Sequence, residues 1–377
     1  MESYKSTFTH FDSTGYLKPP SIAVRKIDRK ETYILLNISL MSQLEYTRSA
    51  HMKWGILAPG TIARKFANTV IGMNDTEETL AAVASRNHEK AEAFAAEFQI
   101  PKAYSSYEEL VNDPEVEAVY IASPNNLHFS HTMLCLNHGK HVLCEKPFTV
   151  NAQEAEILYR TAEEKGLFAM EAFWIRFLPL YEKLQEIIVS EQYGKLCHAR
   201  VNYGFVAKGA RRERKFRSDL AGGALLDIGI YNLGFLYMMM GCVPESFTSE
   251  VEINEYGTDS FSALQMKFPE GRTAQSMQAI GIVMDRQAAL YFEEAEIDLP
   301  DFQNAREAVV KPTNGDAYTI SCPFEVNGFE YEIREATNCI HAGKTHSDRH
   351  RPKDSLAVIR LMDQIRTSWN MKFECEK

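Results

Sequence analysis

A chain of 377 residues with 45% hydrophobic and 24% charged residues is long enough for two domains that each bury a core, and its composition is that of a globular protein. A formal net charge of −10 argues against nucleic-acid or anionic-membrane binding, whose footprint is basic, and no run of about 20 apolar residues marks a bilayer span. The seven cysteines are scattered, without CxxC or Cys/His ligand spacing, which predicts reduced thiols, no metal centre and a cytoplasmic location.

Residues 1–51 differ in texture from the rest of the chain. They mix Ser, Thr, Lys and Arg with one apolar patch, Tyr33 to Met41, behind the basic run Arg25 to Lys30. The patch lacks a small-residue cleavage site, so a disordered or non-native extension is expected, with Met52 as the natural start. From Met52 strand and helix alternate: a strand at Trp54–Leu57, a turn, and a helix at Arg64–Ile71; a strand at Leu80–Ala84 and a helix at His88–Phe98. A short helix at Tyr107–Asn112 precedes a strand at Ala118–Ala122, a helix at Leu127–His138 and a strand at His141–Cys144. Asn151 and Glu154 open another helix in capping-box style, and Phe168–Met170 reads as the last strand of the series. Repeated βα units of this length predict a parallel, doubly wound α/β sheet over residues 52–172.

From residue 173 to 377 the texture changes. Alternating β-branched and aromatic runs at Leu196–Phe205, Phe247–Ile253, Ser260–Phe268, Ala274–Ile282 and Ala288–Phe292 predict an open, mostly antiparallel sheet in an α+β domain. One long apolar helix, Ala224–Met240, interrupts them, and helices at about Glu330–His341 and Asp354–Trp369 close the chain.

The chemistry-bearing residues gather where strands end. The turn Ala58-Pro59-Gly60-Thr61-Ile62-Ala63 sits where a dinucleotide fingerprint would, with Gly only at the middle position and helix-start amides to bind a pyrophosphate. The second strand ends in Ser85-Arg86 where an NAD-binding site would carry Asp or Glu. Arg is suited to a 2′-phosphate, so NADP is expected over NAD. Ser123, Asn125 and His128 follow the strand at Ala118–Ala122 and are candidate walls for the cofactor. His131 and His138 have no assigned role. Glu145-Lys146-Pro147 emerges from a buried strand at the edge where ligands bind in such sheets. Trp174 and Arg176 either border a nicotinamide and an anionic group or plug a domain junction. Asp227 and Tyr231 are four apart on an apolar helix and share a face. An ammonium such as Lys146 nearby is expected to lower the phenol pKa and make it a proton carrier. The charge run Arg211-Arg212-Glu213-Arg214-Lys215 is either a solvated loop or a border of the cofactor phosphate or substrate entrance.

Together these residues resemble the glucose–fructose oxidoreductase and inositol dehydrogenase family. The resemblance runs from about Met52 to the end. The order Glu145-Lys146-Pro147, Trp174-Ile175-Arg176-Phe177, Asp227 and Tyr231 is most similar to the branch of dimeric dihydrodiol dehydrogenases and NADP-dependent D-xylose dehydrogenases, because other branches carry His at the position of Tyr231. The resemblance implies a Rossmann domain followed by a sheet used for substrate binding and dimerisation. It implies cofactor contacts from Gly60, Thr61, Ile62, Ser85, Arg86, Ser123, Asn125, His128, Glu145, Lys146, Trp174 and Arg176, and catalysis by Lys146, Asp227 and Tyr231. The expected reaction is hydride exchange between NADP and a sugar or cyclic diol carbinol, in a homodimer or higher homo-oligomer. Tyr203 and Phe205 are expected in the pocket wall with Lys146, Asp227 and Tyr231. A biliverdin- or imine-reductase-like enzyme of the same fold and a non-catalytic NADP-sensing regulator are the rival readings. Substrate identity and direction are not encoded in any single motif.

Overall fold

The computed structural model describes residues 52–74 and 78–377, so the expectation for residues 1–51 lies outside the described residues. Six strands, β1 (Lys53–Leu57), β2 (Thr79–Ala84), β3 (Lys102–Tyr104), β4 (Ala118–Ile121), β5 (His141–Glu145) and β6 (Ala169–Ala172), form a wholly parallel sheet in the order β3-β2-β1-β4-β5-β6. Every residue of β4 and β6 is buried, as expected of strands with helices on both faces. The order reverses between β1 and β4, and the crevice at the carboxyl ends there is the ligand-binding edge of this architecture. β3 has only three half-buried residues and left no periodic signal.

Helices α1 (Thr61–Gly72), α2 (His88–Phe98), α3 (Tyr107–Asn112), α4 (His128–Asn137) and α5 (Ala152–Glu164) connect the strands. Their starts are fixed by side chains: the Asn87 oxygen accepts the Lys90 amide, Ser106 and Glu109 form a capping box, and the Asn151 oxygen accepts the Glu154 amide. α1 is held down by Phe66, which stacks on Tyr120 with ring centroids 3.9 Å apart.

The second sheet has eight strands: β7 (Leu196–Phe205), β8 (Ser246–Ile253), β9 (Asp259–Lys267), β10 (Thr273–Ile280), β11 (Ala288–Phe292), β12 (Ala295–Leu299), β13 (Glu307–Pro312) and β14 (Tyr318–Ser321). Their order is β14-β13-β12-β11-β7-β10-β9-β8, antiparallel throughout except where β7 and β10 run parallel. Leu264, Met266, Ala274 and Ser276 point into the core while Gln265 and Gln275 are exposed, so one face of the sheet is covered and the other is open.

Helices α6 (Pro179–Ser190), α7 (Ala210–Phe216), α8 (Ile230–Met240), α9 (Glu330–His341) and α10 (Pro352–Ser368) complete the chain. α8 packs on β7 and β10 and is pinned there by Asn232, whose buried amide donates to Ser276 Oγ at 3.1 Å and Met277 O at 2.9 Å. The helical run Ser218–Met240 is long and apolar enough to cross a membrane, where the sequence led us to expect no such span, but 89% of its apolar window is buried inside the protein. It is the core helix of the second layer. α10 returns to the first sheet, where Asp363 accepts the Ala152 amide at 2.8 Å and Arg360 pairs with Glu156 at 2.6 Å.

Candidate active site

The β1–α1 turn has the shape of an anion cradle. Ala58 sits at φ 69°, the left-handed backbone a glycine would normally supply at the first fingerprint position. Gly60 caps α1 without a side-chain hydrogen bond, the first turn holds no acidic residue, and a Cβ on Gly60 would meet nothing within 4 Å. Thr61 is exposed, Ile62 half-buried and Ala63 fully buried where helix meets strand. Amides of an uncapped helix start beneath open space fit a pyrophosphate.

At the end of β2 the Ser85 hydroxyl accepts the Asn87 amide at 3.2 Å, while Arg86 is exposed and has no ion-pair partner among the described residues. Its guanidinium bears on the Tyr107 hydroxyl. The Tyr107 ring meets His131 edge-on at 4.8 Å, and His131 Nδ1 lies 2.9 Å from Ser123 Oγ. Burial pushes the His131 imidazole down to about 4, so it stays neutral. A cationic tip with no ion-pair partner among the described residues fits the 2′-phosphate of NADP, and Tyr107 and His131, unassigned from sequence, pack beside it.

Two expected cofactor contacts take other positions. His128 is buried with both nitrogens on backbone carbonyls, Nδ1 at 2.7 Å from Pro147 O and Nε2 at 2.9 Å from Ser123 O. It braces the end of β4 against the cis Lys146-Pro147 peptide, donating from one ring nitrogen, and both nitrogens face backbone rather than open space. Arg176 donates from Nε to Arg349 O at 2.6 Å and lines a cavity with Asp354 and Tyr237. These contacts are those of a side chain packed between the end of β6 and the segment before α10. Asn125 also reaches across the molecule, donating to Ala221 O at 3.0 Å in the loop before the Asp227 segment.

The expected meeting of Lys146 and Tyr231 is observed. Lys146 Nζ lies 2.5 Å from Asp227 O, 3.9 Å from Asp227 Oδ1 and 4.6 Å from the Tyr231 ring centroid. Asp227 sits on a π-helical turn, Leu225–Gly229, where an uninterrupted α-helix was expected; such turns recur at functional sites. Two glycines admit the neighbouring segments. A Cβ on Gly222 would lie 2.4 Å from Lys215 O, and Gly223, at φ 114°, would put one 2.4 Å from Asp259 Oδ1. Asp259 in turn accepts the Leu225 amide at 2.7 Å and caps the run.

The electrostatics differ from the sequence expectation. Lys146 approaches the face of the phenol, whose oxygen accepts the Trp174 indole N–H at 3.1 Å. Burial, then the Glu145 carboxylate, raise the Tyr231 pKa well above 10, the reverse of the predicted lowering. Burial also lowers the Lys146 ammonium, against the pull of Asp227. Glu145 is buried, takes the Tyr120 hydroxyl at 2.5 Å, and is itself raised by burial. Asp227 stays below the usual carboxylate range: burial pushes it up, but Lys215 at 2.5 Å and then Lys146 pull it down.

Around this centre, the Tyr203 ring is 6.2 Å from Tyr231 and its hydroxyl donates to Gln303 at 2.8 Å. Phe205 lies a ring further out, 6.4 Å from Tyr203 and beneath the Arg211 guanidinium. Trp174 carries Lys65 over its ring at 4.0 Å, and the same ammonium lies 4.0 Å from the Phe329 ring. Burial brings Lys65 down to about 8. Lys65, Lys215 and Gln303 were not singled out individually from sequence, where no local motif marks them.

Two family models match. One, described as an oxidoreductase family with an NAD-binding Rossmann fold, covers residues 52–173; the other, a GFO/IDH/MocA C-terminal domain, covers residues 181–296. The chain is 33% identical over 337 residues to trans-1,2-dihydrobenzene-1,2-diol dehydrogenase of Mus musculus, spanning 86% of this chain and 99% of that one. It is 34% identical over 355 residues to D-xylose 1-dehydrogenase (NADP+) of Hypocrea jecorina, spanning 83% and 90%. A 3-ketoreductase from Actinomadura kijaniata, solved with NADP and TDP-benzene, shares the fold with a TM-score of 0.76 at 22% identity, over 84% of this chain and 97% of that one.

Proposed function

The chain belongs to the GFO/IDH/MocA oxidoreductase family, and from that premise we propose that it is an NADP-dependent dehydrogenase moving a hydride between NADP and a carbinol of a sugar or cyclic diol. The observation that carries the reading is the convergence of Lys146 and Tyr231, from different domains, at the carboxyl end of the nucleotide-binding sheet. When bound, NADP+ would supply the two-electron hydride acceptor for the carbinol carbon.

The chain's own groups manage the oxygen and its proton. The substrate hydroxyl lies between Lys146 Nζ and Tyr231 Oη. In oxidation its proton passes to the uncharged Lys146 amine, which burial makes accessible below the normal lysine range. In reduction the same ammonium returns that proton to the developing alkoxide, while the phenol, held protonated by burial and Glu145, stays a hydrogen-bond donor to the substrate oxygen in both directions. Trp174 fixes the phenol oxygen from the other side, and Asp227 orients the ammonium through its carbonyl and carboxylate. The open face of the second sheet is the proposed dimer contact, the homodimer is proposed as the working form, and the unpaired cysteines accord with a cytoplasmic location.

The test is a panel of aldoses, keto-sugars and cyclic diols followed by NADPH absorbance, with light scattering for the oligomer. Turnover of one class with NADP is expected. NADPH binding with no turnover of any carbonyl or carbinol would instead favour the sensor.

A further inference from the structure

The charge run in α7 is not uniform. Arg212 pairs with Glu255 at 3.2 Å, and Arg211 lies over the Phe205 ring at 5.5 Å. Lys215 instead turns inward, and its side chain is 23% exposed. Its Nζ is 2.5 Å from Asp227 Oδ1, nearer than Lys146 Nζ at 3.9 Å from the same oxygen. The backbone is arranged for this: Lys215 O accepts the Gly223 amide at 2.8 Å, an approach that a side chain on Gly222 would block. Asp227 therefore presents its carboxylate first to Lys215, leaving Lys146 its carbonyl oxygen.

We propose that Lys215 is a positioning residue for the reaction, holding the Asp227 carboxylate so that the Lys146 amine can accept the substrate proton. The proposal rests on the oxidoreductase reading above and adds a residue that acts through Asp227. The charged and titratable groups facing Lys146 are Glu145 beside it, Glu171 on β6, the neutral His128 on α4, Asp227 on the π turn, Lys215 on α7 and the ring of Tyr231 on α8. Among these Lys215 is the cation that opposes protonation of Lys146. Removing it takes away that repulsion and frees the Asp227 carboxylate for Lys146, so the ammonium becomes harder to discharge.

In the oxidation direction kcat/KM rises as Lys146 loses its proton, and Lys215→Met should move that rising limb to higher pH by about one unit, a roughly tenfold loss on the limb that recovers at the plateau. Lys215→Arg, which keeps the cation, should leave the limb near its original place. Asp227→Asn should move it to lower pH, whatever its effect on the plateau. A second readout needs no turnover: labelling of Lys146 by an amine-reactive reagent across pH, quantified by peptide mass spectrometry, should shift in the same directions. A Lys215→Met enzyme whose activity falls equally at every pH, with the Lys146 labelling profile unmoved, overturns the proposal and leaves Lys215 a structural tie. If the wild-type protein oxidises nothing in the substrate panel, the functional reading fails. The labelling profile still decides whether Lys215 governs Lys146.

Discussion

The ring of Phe173 stacks on Tyr231 at 5.7 Å and on His350 at 5.8 Å, and so touches two buried polar clusters built on different plans. Around His350 the pairing is closed. Glu171 Oε1 accepts the Phe148 amide at 3.0 Å, and Oε2 accepts the Ser355 hydroxyl at 2.5 Å and faces His350 Nε2 at 3.2 Å. Burial alone would raise this carboxyl, yet its His350 and Ser355 partners hold it below the usual range. Around Lys146 the pairing is left incomplete: the Asp227 carboxylate is shared between two ammonium groups, and the neighbouring Tyr231 phenol proton has a raised affinity for its oxygen. A closed network in a low-dielectric interior holds structure, whereas an open one keeps a proton available to move.

Substitutions on the two sides should therefore do different things. The largest effect is expected from Lys146→Ala, with turnover down roughly 10³-fold as befits loss of an acid–base group, and NADP affinity by fluorescence titration nearly unchanged. Near-normal turnover would discredit the site. The sister variant Lys146→Met should raise Tm by about 2 °C. The lysine's folded pKa is lowered, so its ammonium costs stability below that pKa, and an uncharged side chain removes the cost.

Glu171→Gln should cost about 3 kcal/mol of stability in urea titration while turnover changes only a few-fold. Because the folded pKa of Glu171 is depressed, its contribution is present above the unfolded carboxylate pKa and is lost as pH falls through the folded value. The variant's loss should therefore shrink in acid, and a loss equal in neutral and acid solution would contradict the closed network.

Arg86→Asp lies at a distance from either cluster and should spare both. We expect the KM for NADP to rise roughly 10–100-fold, the worth of a charge-assisted contact, with NAD little affected. Equal effects on the two cofactors would reject the 2′-phosphate assignment. The smallest change is expected from Ala58→Gly, which relieves a left-handed alanine and should stabilise the fold by about 1 kcal/mol. A lowered Tm there would mean that the turn is not strained.

The first sheet was legible in the sequence because each βα unit is local, and its edge residues Arg86 and Lys146 are marked by where strands stop. The second sheet was legible only in part: β12, β13 and β14 are short and partly exposed, so alternation is diluted. Tyr231 and Lys146 could be paired from sequence, but which atom meets which could not, and a lysine over the ring face does not do what one at the hydroxyl would. The resemblance implied cofactor contacts for Arg176 and His128; their observed partners, Arg349 O and Pro147 O, are set by tertiary packing that no local motif reveals. Lys215 is hidden among five consecutive charged residues, and only the close approach at Gly222 distinguishes it from them.

The return of α10 to the first sheet has a consequence for the order of manufacture. His350 and Ser355, which seal Glu171, follow it in the chain by 179 and 184 residues, and Asp363 follows the Ala152 amide it holds by 211. The nucleotide-binding half is thus translated well before the residues that finish it. Until those residues arrive, Glu171 lacks the two side chains that hold its Oε2.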